Sequence, residues 1–412
     1  MFLNSNKIKT IFKRGLLKSL KEFIYSKAIF IVPWNQHYRP TGIVDIHSNP
    51  EGVDVQILRE GIVSETYVPK PMHDVMIDKG YDLNEPSGDH IRMYSRPTTA
   101  LIASVKNGRV YTDNLKTSAI ITEGNKLLTE VSFQYVTEST TEEESLIFKQ
   151  RSFPEVESIS GTVFVMIAGG VSGRGNYFHW LVDVVPRLQL LKDSGLASKV
   201  DKYLVPQYKS DFQKTTLRLL GVDESKVIEC TSSTHLQCDV LMASSHPRGR
   251  KSVLIPDWVF SFYQEQKKKL LVAGEYPKRM YVTRKDSSLR GILDEDRLIE
   301  YLAQHGFEPI TLAEHDFDGK VNLFSNADMI ISAHGAGLTN LFFSNPESRL
   351  LELFTEGFVD PVLMNLAERN KVIYDYIIFP KNNAAHEDAK GQYEDIIVDY
   401  ELLENKLKTF LS

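Results

Sequence analysis

Two successive series of alternating strands and helices predict an α/β protein whose halves are parallel sheets facing each other across a cleft. Three observations carry the prediction. From Gly161 onward, apolar segments of strand length recur between segments of helical period. A break at residues 274–277 (Gly-Glu-Tyr-Pro) divides them into two series. In each series a buried-type strand runs into a small-residue loop, residues 169–176 in the first and 334–337 in the second, where α/β sheets bind ligands.

The bulk properties fit this class. The chain has 412 residues, 42% of them hydrophobic and 25% charged, the composition of an ordinary globular protein with room for two domains and additions. A formal net charge of −6 leaves no basic excess to neutralise a nucleic-acid backbone, so no nucleic acid is expected as partner. Cys230 and Cys238 are too few for a disulfide framework and lack zinc-ligand spacing, which suits a reducing compartment. No apolar run reaches the roughly 20 residues of a membrane span. With no signal peptide visible, a cytoplasmic location is expected.

In chain order, Ile8, Ile11, Phe12, Leu16, Leu20, Phe23 and Ile24 recur at helical spacing among Lys7, Lys9, Lys13, Arg14, Lys18 and Lys21. Such a basic amphipathic helix over residues 7–27 lies either on an anionic membrane surface or on the body of the protein. Prolines interrupt residues 28–95, which read as loops and short strands. Asn107-Gly108 and Gly124-Asn125 separate β-rich runs and predict hairpins. The first alternating series has strands at 162–168, 203–205, 227–228 and 240–242, with helices from Tyr177, over 212–220 and over 256–271. The second has strands at 280–282, 308–311, 327–331, 349–354 and 372–378, with helices over 294–305, near 321–324 and over 361–368. A last helix is expected over 396–410. The organisation is thus a lead-in over 1–95, α/β domains over 96–272 and 273–380, and a loose segment with a C-terminal helix over 381–412.

The candidate chemistry clusters after strands. Ser332, His334, Gly335, Ala336, Gly337 and Asn340 form a strand-loop-helix turn whose free N–H groups suit a phosphate, with Gly335 and Gly337 able to take positive φ. A plain tight turn is the alternative. Arg284 ends a predicted strand and Arg290 follows, with Lys285 between them, a set able to hold a diphosphate or simply to be solvated. Glu352, in an apolar strand, would accept from ribose hydroxyls or be ion-paired. The acidic string Asp294-Glu295-Asp296 opens a helix, and capping explains it better than metal binding. His179 and Asp183 share a helix face, near Asn176 and Arg187, with Pro186 expected to kink or end the helix. An imidazole oriented by a carboxylate is a general-base arrangement, and a solvated polar stripe is the other meaning of the pattern. An unperturbed imidazole, pKa ~6.5, matches the task better than a carboxylate at ~3.9.

Taken together, Asn176-Tyr177-Phe178-His179-Trp180 with Asp183 and Pro186-Arg187, Tyr281-Val282-Thr283-Arg284 with Arg290, and the 334–340 segment with Glu352 resemble glycosyltransferase family 61. The resemblance runs from about residue 101 to 378. It implies a GT-B architecture of two Rossmann-like domains, acceptor side first and donor side second. It also implies an inverting, metal-independent transfer of a hexosyl or pentosyl group from a nucleotide-diphosphate sugar, often UDP-linked, with no cofactor. Without a leader or anchor, the chain fits a bacterial enzyme of capsule or lipopolysaccharide assembly, acting on a glycan or lipid-linked glycan. The competing expectations are a nucleotide-sugar hydrolase or phosphotransferase using the same clamp, and a non-catalytic subunit that keeps the fold.

Overall fold

The computed structural model describes residues 28–77, 83–114, 117–134, 145–168, 173–249, 252–287, 289–381 and 391–412. The basic stretch over 7–27, the start of the glycine-rich loop at 169–172 and the polar segment 382–390 lie outside the described residues. No helix among the described residues is long and apolar enough to cross a membrane.

The second half forms a five-stranded sheet in which every neighbouring pair is parallel. Its apolar runs are buried almost without interruption, as strands covered on both faces must be. In chain order the strands are Arg279–Val282, Glu308–Ile310, Met329–Ala333, Arg349–Thr355 and Ile373–Phe379. Laterally, Glu308–Ile310 lies outside Arg279–Val282, and the other three follow on the opposite side. The chain reverses direction across the sheet between the first and third strands. Loops leaving those two strands flank the reversal point, where open α/β sheets form a ligand crevice at their carboxyl ends. Arg284 stands on one of these loops and His334 on the other.

The first half repeats the device within a larger sheet. Glu157–Val165, Lys202–Val205 and Val227–Glu229 step outward in one direction, and Thr234–Ser244 pairs parallel with the opposite edge of Glu157–Val165. His179 follows the first of these strands, and Ser245 to Arg248 follow the last.

Two expectations need correction. The first half is not an all-parallel sheet: Val53–Ile62, Thr98–Lys106 and Arg109–Thr112 extend it by antiparallel pairing, so it is mixed. Asn107-Gly108 is not a hairpin either. Thr98–Lys106 and Arg109–Thr112 lie end to end along Thr234–Ser244, so the dipeptide kinks one long strand. Asn107 takes the left-handed φ of 50°, and a Cβ at Gly108 would lie 2.7 Å from Leu241 Cβ. The Gly124-Asn125 turn does join antiparallel strands, Thr117–Ile121 and Leu127–Leu128. A small antiparallel sheet of Glu65–Pro69, His90–Tyr94 and Leu83–Ser87 completes the lead-in.

The expected helices form as Asp257–Leu270, Glu295–Ala303, Phe317–Asn326, Val362–Arg369 and Tyr400–Phe410. The last begins later than its sequence suggested, because the Asp399 side chain caps it and Ile396 bridges to Ile292. One apolar cluster spans both halves, including Trp180 and Val184 from the first and Phe324, Leu341 and Phe342 from the second. Tyr263, on Asp257–Leu270, ties them together. Its hydroxyl donates to the Leu181 carbonyl at 2.5 Å, and its ring stacks on Phe342 with centroids 4.3 Å apart.

Phe342→Ala should therefore destabilise the protein by about 3–5 kcal/mol, the usual cost of removing a buried aromatic ring. Urea unfolding followed by tryptophan fluorescence should show a lower midpoint, and an unchanged midpoint would contradict this packing.

Candidate active site

The first wall of the site is the helix that begins at Tyr177. Asn176 caps it, its side chain accepting from the His179 backbone N–H at 3.1 Å. The Asn176 Oδ1 is thus committed to the backbone. Pro186 interrupts the helix, which loses regular helical form between Val184 and Arg187. Having no N–H to give, it is preceded by a π-helical stretch, Trp180–Val184, in which Val185 N–H reaches the Trp180 carbonyl. The helix then resumes as Arg187–Asp193.

Within this stretch His179 Nδ1 lies 2.7 Å from Asp183 Oδ2. Asp183 is only 2% exposed, and a guanidinium also meets it there. Arg248 grips it with two bonds, Nε to Oδ1 at 2.7 Å and Nη2 to Oδ2 at 2.9 Å. His246 Nε2 stands 3.7 Å from Oδ1. Burial alone would raise the Asp183 pKa, but the Arg248 guanidinium, helped by the hydrogen bond with His179, holds it well below the usual carboxylate range. An ionised carboxylate only accepts, so the His179 Nδ1 carries the proton and Nε2 is left as the ring's acceptor. This corrects the expectation that kept Asp183 open as a base: both of its oxygens are engaged and its basicity is suppressed.

His246 and Arg248 were missed in the sequence. Burial lowers the His246 pKa to about 3, so the ring is neutral, and it stacks on Phe133. The available signal was position, since Ser244-Ser245-His246-Pro247-Arg248 directly follows a strand at the sheet's reversal point. Arg187, expected to touch a ligand, is turned inward. It is 2% exposed, with Nε donating to the Asp183 carbonyl at 3.0 Å and Nη1 to the Ser244 carbonyl at 2.9 Å. It fastens the helix to the strand end.

The second wall is the glycine turn and its arginines. Arg284 Nη2 donates to Ser287 Oγ at 2.8 Å and to the Leu289 carbonyl at 2.5 Å, and Nε donates to the Arg290 carbonyl at 3.2 Å. These bonds aim its Nη1 at Gly335. Arg290, at a left-handed φ of 53°, donates from Nε to the His334 carbonyl at 3.2 Å and lies over the Phe358 ring. Burial first, and Arg284 next, lower its pKa to about 10, which still leaves it charged at neutral pH. Burial likewise lowers that of Arg284. Among the described residues no carboxylate forms an ion pair with either arginine. Lys285 stands apart, exposed and paired with Asp296 at 2.5 Å.

The glycines are needed here for space. Neither Gly335 nor Gly337 takes the left-handed φ that favours glycine; Gly335 is extended at 178°. A Cβ at 335 would overlap Arg284 Nη1, and one at 337 would lie 2.6 Å from Leu312 Cδ1. A 3-10 helix, Ala336–Phe343, follows the turn, and no acceptor among the described residues takes the N–H of Gly335, Ala336 or Gly337.

Other expected contacts turn inward. Glu352 is fully buried, accepting from His334 Nδ1 and the Tyr374 hydroxyl, each at 2.7 Å. With both oxygens satisfied, it orients His334 and has none to offer a ribose. Ser332 is buried and donates to the Ala333 carbonyl. Asn340 is buried too: Nδ2 donates to the Gly337 carbonyl at 2.8 Å, and Oδ1 accepts from the Tyr177 hydroxyl at 2.7 Å. This bond joins the start of the His179 helix to the glycine turn. Asp294 makes no side-chain cap, contrary to expectation. Glu295 instead accepts from the Tyr281 hydroxyl and the Arg284 N–H. No group of three His, Cys, Asp or Glu suited to a metal occurs among the described residues.

The depressed Asp183 pKa stabilises the fold at pH values above the ordinary unfolded value of ~3.9, and this contribution is lost as pH falls toward the folded value. Asp183→Asn strands the buried Arg248 charge and should cost about 3–5 kcal/mol at neutral pH. Urea titrations should show the difference from the parent shrinking below about pH 4; a gap constant across that range would contradict the pairing.

No curated protein matches the chain. The family model described as Glycosyltransferase 61 matches residues 177–351, which begin at the His179 helix and end beside Glu352. That segment, which holds both walls of the site, is similar to glycosyltransferase family 61.

Proposed function

We propose that the chain is an inverting, metal-independent glycosyltransferase of GT-B architecture. It would take a hexose or pentose from a nucleotide-diphosphate sugar, UDP-linked by family resemblance, and use no cofactor. The acceptor would be a glycan or lipid-linked glycan of bacterial capsule or lipopolysaccharide assembly, met at the cytoplasmic face of the membrane. In this reading residues 96–272 carry the acceptor side and 273–380 the donor side. One observation carries it above the others. Among the described residues, two guanidiniums without ion-paired carboxylates, Arg284 and Arg290, adjoin a turn whose N–H groups find no acceptor, and the Tyr177–Asn340 bond joins that turn to the helix bearing His179.

His179 Nε2 takes the proton of the acceptor hydroxyl as its oxygen attacks the anomeric carbon from the face opposite the leaving group. The bond between that carbon and the phosphate oxygen breaks, and its electron pair passes to the diphosphate. Arg284, Arg290 and the N–H groups of residues 335–337 stabilise the charge that grows there. Asp183 keeps the ring's orientation and stabilises the imidazolium, with Arg248 holding Asp183 in place. His334, oriented by Glu352, lines the donor side.

His179→Ala should lower turnover by about 10²–10⁴-fold while donor affinity holds. Arg290→Ala should weaken donor binding instead. Calorimetry with a panel of nucleotide sugars, alongside mass analysis of products, reads both effects. Equal loss of donor binding in His179→Ala would refute the base assignment. Free sugar in place of a glycosylated acceptor would favour a hydrolase, and activity abolished by a chelator and restored by magnesium or manganese would refute the metal-free reading.

A further inference from the structure

Lys320 has no part in the chemistry above, yet its position is costly. It sits near the start of the helix Phe317–Asn326, only 8% exposed. A helix N-terminus disfavours a cation, and a buried ammonium needs a partner. Among the described residues its ammonium has no hydrogen bond or ion pair. Its Nζ lies 5.3 Å from the centre of the Tyr177 ring. Burial lowers its pKa, with Asp286 and Asp316 pulling weakly the other way.

The surroundings locate this charge in the crevice. Tyr177 opens the His179 helix and bonds to Asn340 of the glycine-turn helix. Asp286, on the Arg284 loop, accepts from the Ala313 N–H beside Leu312, which itself fills the space over Gly337. Lys320 therefore stands among the base helix, the arginine loop and the glycine turn.

We infer that Lys320 is a further donor-binding residue whose ammonium takes the end of the diphosphate nearer His179. The inference rests on the donor reading above. It gives the buried ammonium the ion partner it lacks among the described residues, and it adds a third cation to the leaving group.

Inorganic pyrophosphate is the probe, titrated calorimetrically into the parent, Lys320→Met and Lys320→Arg. The parent should bind it, Lys320→Met should bind about tenfold more weakly or worse, and Lys320→Arg should recover most of the loss. The unfolding midpoint of Lys320→Met should hold or rise, because methionine fills the volume without a buried charge. If the parent binds pyrophosphate and Lys320→Met binds it equally well, the Lys320 assignment alone falls. A parent that binds no pyrophosphate removes the clamp and Lys320 together. Weakened binding with a lowered midpoint and no recovery in Lys320→Arg would mark a packing role and overturn the inference.

Discussion

The candidate site is built around two buried guanidiniums that, among the described residues, the fold does not pair with carboxylates. Arg248 is spent on Asp183, and Arg187 on backbone carbonyls sealed inside the first half. Arg284 and Arg290 are also oriented by carbonyls, but those carbonyls belong to their own loop and to the glycine turn, so the bonds aim the guanidiniums without cancelling them. Such an arrangement is stable only where an anion or water completes it. Gly335 makes it possible, since any side chain there would displace Arg284.

The same topological device serves both halves. In each sheet the chain reverses lateral direction beside its first parallel strand, and the loops flanking the reversal carry the reactive groups. In the first half these are the His179 helix and the His246–Arg248 segment; in the second they are the Arg284–Arg290 loop and the 334–337 turn. Tyr263 and the Tyr177–Asn340 bond hold the two crevices in register through packing and one buried hydrogen bond. In the proposed reading, binding and proton transfer fall to different walls, joined by one shared apolar core.

Much of this was legible in the sequence, because strand-length apolar runs and helical periods are local signals. Arg284, Arg290, His179 and the glycine turn were visible for the same reason: each follows such a run. What escaped depended on distant partners. Thr234–Ser244 supplies a partner to both sides of Asn107-Gly108, so a dipeptide with hairpin chemistry became a kink. Glu352 and Asn340 looked like ligand contacts until His334, Tyr374 and Tyr177 satisfied them from far along the chain. The choice between His179 and Asp183 could not be made locally either, because Arg248, which suppresses Asp183, is remote in sequence.

The most direct measurement of the central claim is a crystal structure of the protein with a nucleoside diphosphate bound. The account places the diphosphate oxygens within hydrogen-bonding distance of the Arg284 and Arg290 guanidiniums and the N–H groups of Gly335 to Gly337, with His179 facing them across the crevice. A diphosphate seated elsewhere, with those guanidiniums turned to protein carboxylates, would contradict it.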